Sequence, residues 1–234
     1  MPRLIAVIVR HGDYRQLPDT PSAHQPFPLI AAGVQQAEEG ADELRGLLAE
    51  QALTLCPQVD SSQLLRAWQT AQLMAQQLRD LLLPQPVIQA FDELAERSVG
   101  SAANLSIPQI EAIIREDPRY PALPPDWKSN SHFCLPLQGA ESLLQAGERV
   151  ADHLRAQMGM LDATARADMA KLFVGHGAAF RHAAHHLGVL DFDDIRRLSM
   201  YHARPVLLEY NADGAWQHVA GEWKVRGRGS AYTD

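Results

Sequence analysis

The sequence predicts an α/β fold, a three-layer α/β/α sandwich with a mostly parallel central sheet and an inserted lid segment. Three observations predict it. Short, β-branched apolar runs alternate with longer stretches whose apolar residues recur at helical spacing. Two of those runs, "LIAVIVRHG" at 4–12 and "MAKLFVGHG" at 169–177, end abruptly in a histidine and a glycine. From Asp92 to Gly139 the regular pattern loosens into an irregular, proline-rich stretch, and a long irregular segment usually carries function, so a lid is read between about residues 97 and 139. The chain, 1–234, fits one domain with the lid as an insertion.

The elements follow in order. Leu4 to Val9 reads as a strand buried on both faces. "QLPDTPSAHQPFPL" holds four prolines and is read as a loop. Val34, Ala37, Ala41, Leu44, Leu47 and Leu48 set a helix from about Gly33 to Leu53. "PQVDSS" is a short strand and turn, and Ser61 or Ser62 is expected to cap a helix from about Leu64 to Leu82. "PVIQAF" is a further brief strand and "IPQIEAIIRED" a short helix within the lid. Regularity returns with a helix from about Glu141 to Met160, then the second histidine-ending strand and a helix to Leu187. "RPVLLEYN" and "WQHVAGE" are expected to close the fold as paired strands around the turn Asn211-Ala212-Asp213-Gly214.

Composition narrows the function classes. Hydrophobic residues make up 46% and charged residues 21%, ordinary for a globular chain. The formal net charge of −7 argues against a nucleic-acid binder, which normally shows a basic face. An anionic substrate must then be drawn in by a local cationic pocket. Cys56 and Cys134 show no CxxC spacing and no disulfide framework, which points to a reducing compartment. No stretch has the length of a membrane span or of a secretory apolar region, so a cytoplasmic protein without a membrane partner is expected. Oligomeric state is not legible.

The chemistry concentrates at two junctions, Arg10-His11-Gly12 and Gly175-His176-Gly177. Carboxyl ends of strands are where open α/β sheets bind ligands. Glycine there is expected to let backbone N–H groups approach a ligand, with helix N-termini aimed at the same spot. Arg66, at the start of a later helix, adds a planar fork suited to phosphate oxygens. Two arginines, two histidines and Gly177 would make a site for a dianionic phosphoryl group. His182, His185 and His186 share one helix at spacings that suit either a metal or an ordinary packing face. Trp127 and its neighbouring prolines suit a small satellite core.

"RHG" at 10–12, "SSQLLRAWQTA" at 61–71, "ERSVG" at 96–100, "GAESL" at 139–143 and "VGHGAAFRHAAHHLG" at 174–188 stand in the order of the histidine phosphatase superfamily, which the chain resembles from the first strand to about Val206. That superfamily includes phosphoglycerate mutases and many phosphatases. The resemblance implies a phosphatase acting on small phosphorylated substrates, with phosphoproteins also open, and needing neither metal nor cofactor. It implies His11 as the nucleophile that becomes a phosphohistidine, with Arg10, Arg66, His176 and Gly177 around the phosphoryl group and Glu96 as general acid. Asp92 and Glu93 compete for the acid role. Neighbouring positive charge should keep His11 neutral. Relatives often carry Ser or Thr and then Asn after the first glycine, where this chain has Tyr14 and Leu17. Tyr14, Gln16 or another residue of the proline-rich loop would take over those contacts. "SAANLS" replaces the basic segment of mutases, which favours hydrolysis. A mutase-type transfer and a non-catalytic phospho-ligand or protein-binding module on the same fold are the alternatives.

Overall fold

The computed structural model describes residues 2–211 and 213–227. Ala212 of the expected turn, and Met1 and 228–234 of the expected domain, lie outside the described residues. The central sheet runs in the order β4-β3-β5-β1-β7-β8, formed by Val87–Phe91, Gln58–Ser62, Met169–Gly175, Leu4–Arg10, Pro205–Tyr210 and Trp216–Gly221. A two-residue strand, β2 (Thr54–Leu55), also pairs with β5. Strands β4, β3, β5 and β1 are mutually parallel, and β7 and β8 close one edge antiparallel. The result is a mixed α/β sheet, mostly parallel, with helices on both faces.

Alternation along β1 divides the core. Ile5, Val7 and Val9 face the helices α1 (Ala31–Glu50) and α2 (Leu65–Gln77), packing with Ala37, Leu44 and Met74. Leu4, Ala6 and Ile8 face α4 (Leu143–Thr164) and α5 (Gly177–His186), packing with Leu154 and Phe180. Each large apolar side chain so buried contributes about 1.5–3 kcal/mol, which is why β1 has no polar residue until Arg10.

Several boundaries move. Helix α1 starts two residues before Gly33, because Val34 N–H donates to the Ile30 carbonyl while Ile30 N–H donates to Asp13 (both 3.1 Å). It ends before Leu53, as Ala52 takes φ 55° and Leu53 N–H turns back to Leu48 O. Helix α2 stops at Gln77, and Leu78 to Leu82 continue as turns that still bury Leu82. Neither Ser61 nor Ser62 is the cap residue of α2. Both lie in β3, and the N-cap is Leu64, without a side-chain cap bond. Helix α4 opens two residues after Glu141 on a Ser142–Gln145 capping box and runs four past Met160. Sequence reading missed β2, the short helix α6 (Phe192–Arg197) and a small antiparallel pair of β6 (Leu198–Met200) with β9 (Trp223–Val225). All are too short to show a period.

Between β4 and α4 the chain forms the helix α3 (Ile107–Glu116) and otherwise turns and loops. Its apolar residues make a separate cluster of Val99, Ala102, Ile110, Trp127 and Leu135 with Ala23 from the proline-rich loop. Trp127 is fully enclosed and donates from Nε1 to Glu111 (3.2 Å). The 97–139 segment therefore shares a core with the 16–29 loop.

Candidate active site

Parallel register builds the site. Arg10 pairs with Gly175 and Ser61 with Val174, so the residues just past these strands are neighbours in space. His11 and His176 come to 5.1 Å between ring centroids, and His11 N–H donates to Gly175 O (3.0 Å). The turn after His11 is pinned by Gly12 N–H donating to Thr70 Oγ1 (3.0 Å) on α2. A side chain at Gly12 would strike the Gly33 carbonyl, 2.4 Å from an ideal Cβ. At Gly177 it would meet the Arg10 side chain at 2.9 Å. The two glycines thus make room for a helix backbone and for Arg10. Gly12 does not turn its N–H to a ligand, contrary to expectation.

The His11 ring has a defined tautomer. Its Nδ1 lies 2.7 Å from the Gly12 carbonyl, so Nδ1 carries the proton. Its Nε2 accepts from Arg66 Nε (3.2 Å), so Nε2 carries the lone pair. Burial, reinforced by the positive charge of Arg66 and then by His176 and Arg10, holds His11 well below the usual imidazole range. His176 is held low in the same way, by burial first and then by Arg66. Arg66 Nη2 donates to its Nδ1 (3.3 Å), which leaves Nε2–H to donate to Ser62 Oγ (2.9 Å). Arg10 Nη1 donates to Met200 O (3.1 Å).

Arg66 is wholly buried and at the centre. Beyond the two imidazoles it donates from Nη1 to Gln25 O and from Nη2 to Ala23 O, both at 2.8 Å, with Ser22 O at 3.5 Å. Its guanidinium also lies 4.5 Å from the Tyr14 ring centroid. Carbonyls of the proline-rich loop therefore occupy its outward N–H groups, and His11 and His176 are 1% and 0% exposed.

Glu96 follows a single 3-10 turn, Asp92–Leu94, after β4. It is buried, and its carboxylate accepts from the Arg97 backbone N–H (2.8 Å). Its charge acts on both Arg66 and Tyr14. The rival carboxylates Asp92 and Glu93 are exposed. A narrow crevice of about 10 Å³ runs beside Glu96 and Ala23, and a chamber of about 580 Å³ opens beyond it between the 16–22 loop and the 97–143 segment. They share Pro21, Ser22, Arg97, Leu143 and Ala178.

At the two positions that depart from the family pattern, Tyr14 is buried edge-on to His11 (5.3 Å) with its hydroxyl on Ser22 Oγ (2.9 Å). Leu17 uses only its N–H, donated to Gln25 Oε1 (2.9 Å). Gln16 lines the chamber. The three clustered histidines turn to separate partners. His182 sits between Ala178 O (2.7 Å) and Ser131 Oγ (3.0 Å), His185 bonds Leu190 O and His186 bonds Leu144 O. Among the described residues no group of three or more His, Cys, Asp or Glu could hold a metal ion. Cys56 and Cys134 are free thiols.

Three site residues escaped sequence reading. Ser62 holds His176, Thr70 bridges Gly12 N–H and Arg66 O, and His202 places Nδ1 2.8 Å from His11 O. Ser62 and Thr70 lie inside "SSQLLRAWQTA", so the signal was present but unread. His202 stands in a connection with no local pattern.

Fold and site define a class: a doubly covered, mostly parallel sheet that gathers two imidazoles and two guanidiniums at the carboxyl ends of its strands. The chain belongs to the histidine phosphatase superfamily (branch 1), whose family model matches residues 6–222. No curated protein matches it. Among solved structures, a mycobacterial glucosyl-3-phosphoglycerate phosphatase is 19% identical with a TM-score of 0.63, covering 92% of this chain and 96% of that one. A putative α-ribazole-5′-P phosphatase from Escherichia coli is 19% identical with a TM-score of 0.60, covering 95% and 96%. A phosphoserine phosphatase from Entamoeba histolytica, in complex with 3-phosphoglyceric acid, is 16% identical with a TM-score of 0.62, covering 95% and 98%. Among the described residues no helix is long and apolar enough to cross a membrane.

Proposed function

We propose that the chain hydrolyses phosphate monoesters of small molecules through a phosphohistidine at His11. The observation that carries this reading is the His11 tautomer, with Nδ1–H spent on Gly12 O and an Nε2 lone pair facing Arg66. A neutral imidazole nitrogen attacks phosphorus, and fixed cations stabilise the equatorial oxygens. Arg10, Arg66 and His176, with the N-terminus of α5 at Gly177, supply that stabilisation. The phosphoryl oxygens then replace the Ala23 and Gln25 carbonyls on Arg66.

In the first step the Nε2–P bond forms as the P–O bond to the leaving alcohol breaks, and the Glu96 carboxyl gives its proton to the leaving oxygen. In the second, water attacks phosphorus, Glu96 takes its proton, and the P–N bond breaks to release phosphate. The burial of Glu96 and its proximity to Arg66 support this role. We assign the 97–139 segment as the lid, because it walls the chamber. The charge needed is already present in side chains, so activity should survive exhaustive chelation; a complete loss restored by a divalent ion would refute that.

The test is to trap the enzyme with labelled substrate. The adduct should be acid-labile, alkali-stable and absent from His11→Ala, with free phosphate as product. Label that survives the substitution would overturn the nucleophile. An isomerised phosphate ester without free phosphate would turn the reading to a mutase.

A further inference from the structure

Main-chain pairing of β1 with β7 stops at Val9 and Pro205, one residue short of Arg10. Past that point the segment that joins β6 to β7 takes over. Ala203 N–H donates to Arg10 O (2.8 Å), Met200 O accepts from Arg10 Nη1 (3.1 Å), and His202 Nδ1–H donates to His11 O (2.8 Å). A side chain therefore continues the ladder at the nucleophile, where no backbone donor from β7 reaches.

The His11 carbonyl and the Gly12 N–H belong to one rigid, planar peptide unit. His202 holds its oxygen, and Thr70 Oγ1 on α2 holds its N–H (3.0 Å). That plane fixes ψ of His11 and φ of Gly12, and through them where the Gly12 carbonyl stands against His11 Nδ1 (2.7 Å). Which ring nitrogen of a histidine carries the proton is set by the bond that the other makes. If the Gly12 carbonyl turns away, Nδ1 loses its acceptor, and a proton moved to Nε2 would occupy the lone pair that attacks phosphorus. Arg66 Nε donates to the same lone pair at 3.2 Å, so the tautomer rests on two bonds, and the shorter is made by the backbone that His202 holds.

The segment is pressed into this place. Met200 and Ala203 are buried, and a side chain at Gly40 of α1 would strike the Ala203 carbonyl. Ala203 takes φ 55°, which an L residue adopts at a cost and keeps only where its surroundings over-determine it. The His202 ring itself, half-buried, lies 5.6 Å from the His11 ring between centroids.

We propose that His202 is a positioning residue for the nucleophile: its bond to the His11 carbonyl locks the His11–Gly12 peptide, and with it the tautomer that keeps the lone pair on Nε2 of His11. This rests on the phosphatase reading above, although the lock acts on the imidazole whether or not substrate is bound.

The test compares the full chain with His202→Phe, which keeps a ring but has no N–H, and His202→Asn, whose amide can donate from close to the place of Nδ1. Ring 15N chemical shifts read the tautomers, with the His11 signals assigned by their loss in His11→Ala. His202→Phe should move the two His11 ring nitrogens toward the common value of a mixed population, and His202→Asn should bring them back. Single-turnover phosphorylation of His11 by p-nitrophenyl phosphate should slow about threefold to tenfold in His202→Phe, the effect of one hydrogen bond. It should recover in His202→Asn, with affinity for inorganic phosphate unchanged in both. A residue of merely structural worth would lower the melting temperature and leave the His11 shifts where they are, and that result would overturn the proposal. So would a His202 Nδ1 that bears no proton in the unsubstituted chain, a measurement that needs no variant to fold. The two readings fail separately. His11 shifts that follow His202 in a protein never labelled by p-nitrophenyl phosphate sink the phosphatase alone. Labelling of His11 with shifts and rate untouched by His202→Phe sinks the lock alone.

Discussion

Asp92, Glu93 and Glu96 stand close together in the chain, and only Glu96 is buried beside the arginine–histidine cluster. The other two lie on an exposed turn whose carbonyls bind Arg149. Proximity to the reacting oxygen decides which carboxylate does acid work, and that predicts a leaving-group signature. Glu96→Gln keeps size and hydrogen bonding but has no proton to give. It should slow phosphorylation of His11 by alkyl phosphates about 10²–10⁴-fold and by p-nitrophenyl phosphate far less, because p-nitrophenolate leaves unprotonated. Single-turnover kinetics measures both. Equal slowing would refute the assignment, and the same pair of substrates on Glu93→Gln and Asp92→Asn would locate the acid.

At the scale of the element, the loop of residues 16–29 sets the state of the site. Four prolines keep it out of helix, and it folds back so that its carbonyls accept from Nη1 and Nη2 of Arg66. Gln25, fully buried, fastens the loop to itself through Pro21 O (2.9 Å) and Leu17 N–H (2.9 Å). Ala23 sits at φ 21° and Asp19 at φ 49°, conformations that L residues adopt at a cost. On the proposed reading a phosphoryl group and this loop would compete for the same N–H donors, and apparent affinity would be reduced by the fraction of molecules with the loop withdrawn. Gln25→Ala removes the fastening and should tighten inorganic phosphate binding about threefold to tenfold, from the usual net worth of a lost hydrogen bond. It should also lower the melting temperature. Unchanged or weaker phosphate binding would show that the loop supports the ligand instead of competing with it.

The whole molecule carries a pH signature from its buried imidazoles. His11, His176 and His182 are all depressed below the ordinary histidine value, His182 to about 3, by burial first in each case. As pH falls below about 6.5, the unfolded chain takes protons on these rings that the folded chain refuses. Stability is therefore present above that pH and is lost on acidification, down to about pH 3 for His182. Between about pH 6.5 and 5, before most carboxylates titrate, each such ring should remove about 2 kcal/mol. Urea unfolding at the two ends of that window measures the loss. His182→Gln should shrink it by one ring's share, and an unchanged pH dependence would contradict the neutral, buried state of His182. Catalysis should follow the opposite logic, with Nε2 of His11 staying unprotonated into that same acidic range.

Much of the molecule was legible in the residues themselves. An apolar run such as "LIAVIV" has no way to hide except inside a sheet, and the spacing of Ala37, Ala41, Leu44 and Leu48 leaves only a helix. Local chemistry therefore fixed the sandwich, and the order of RHG, RAWQTA, ERSVG and VGHG pointed to the candidate site that the structure draws together. Helix ends were less legible, since Leu78 to Leu82 keep apolar residues facing the core after the helical bonds have stopped. What tertiary structure alone decided depends on contacts between residues distant in sequence. Register between β1 and β5 set the imidazoles side by side, Gly12 and Thr70 met across 58 positions, and His202 arrived from a connection that no local rule describes. The occupation of Arg66 by loop carbonyls is of the same kind. Whether a polar group finds a partner is settled by the whole packing around it, and no stretch of sequence contains that answer.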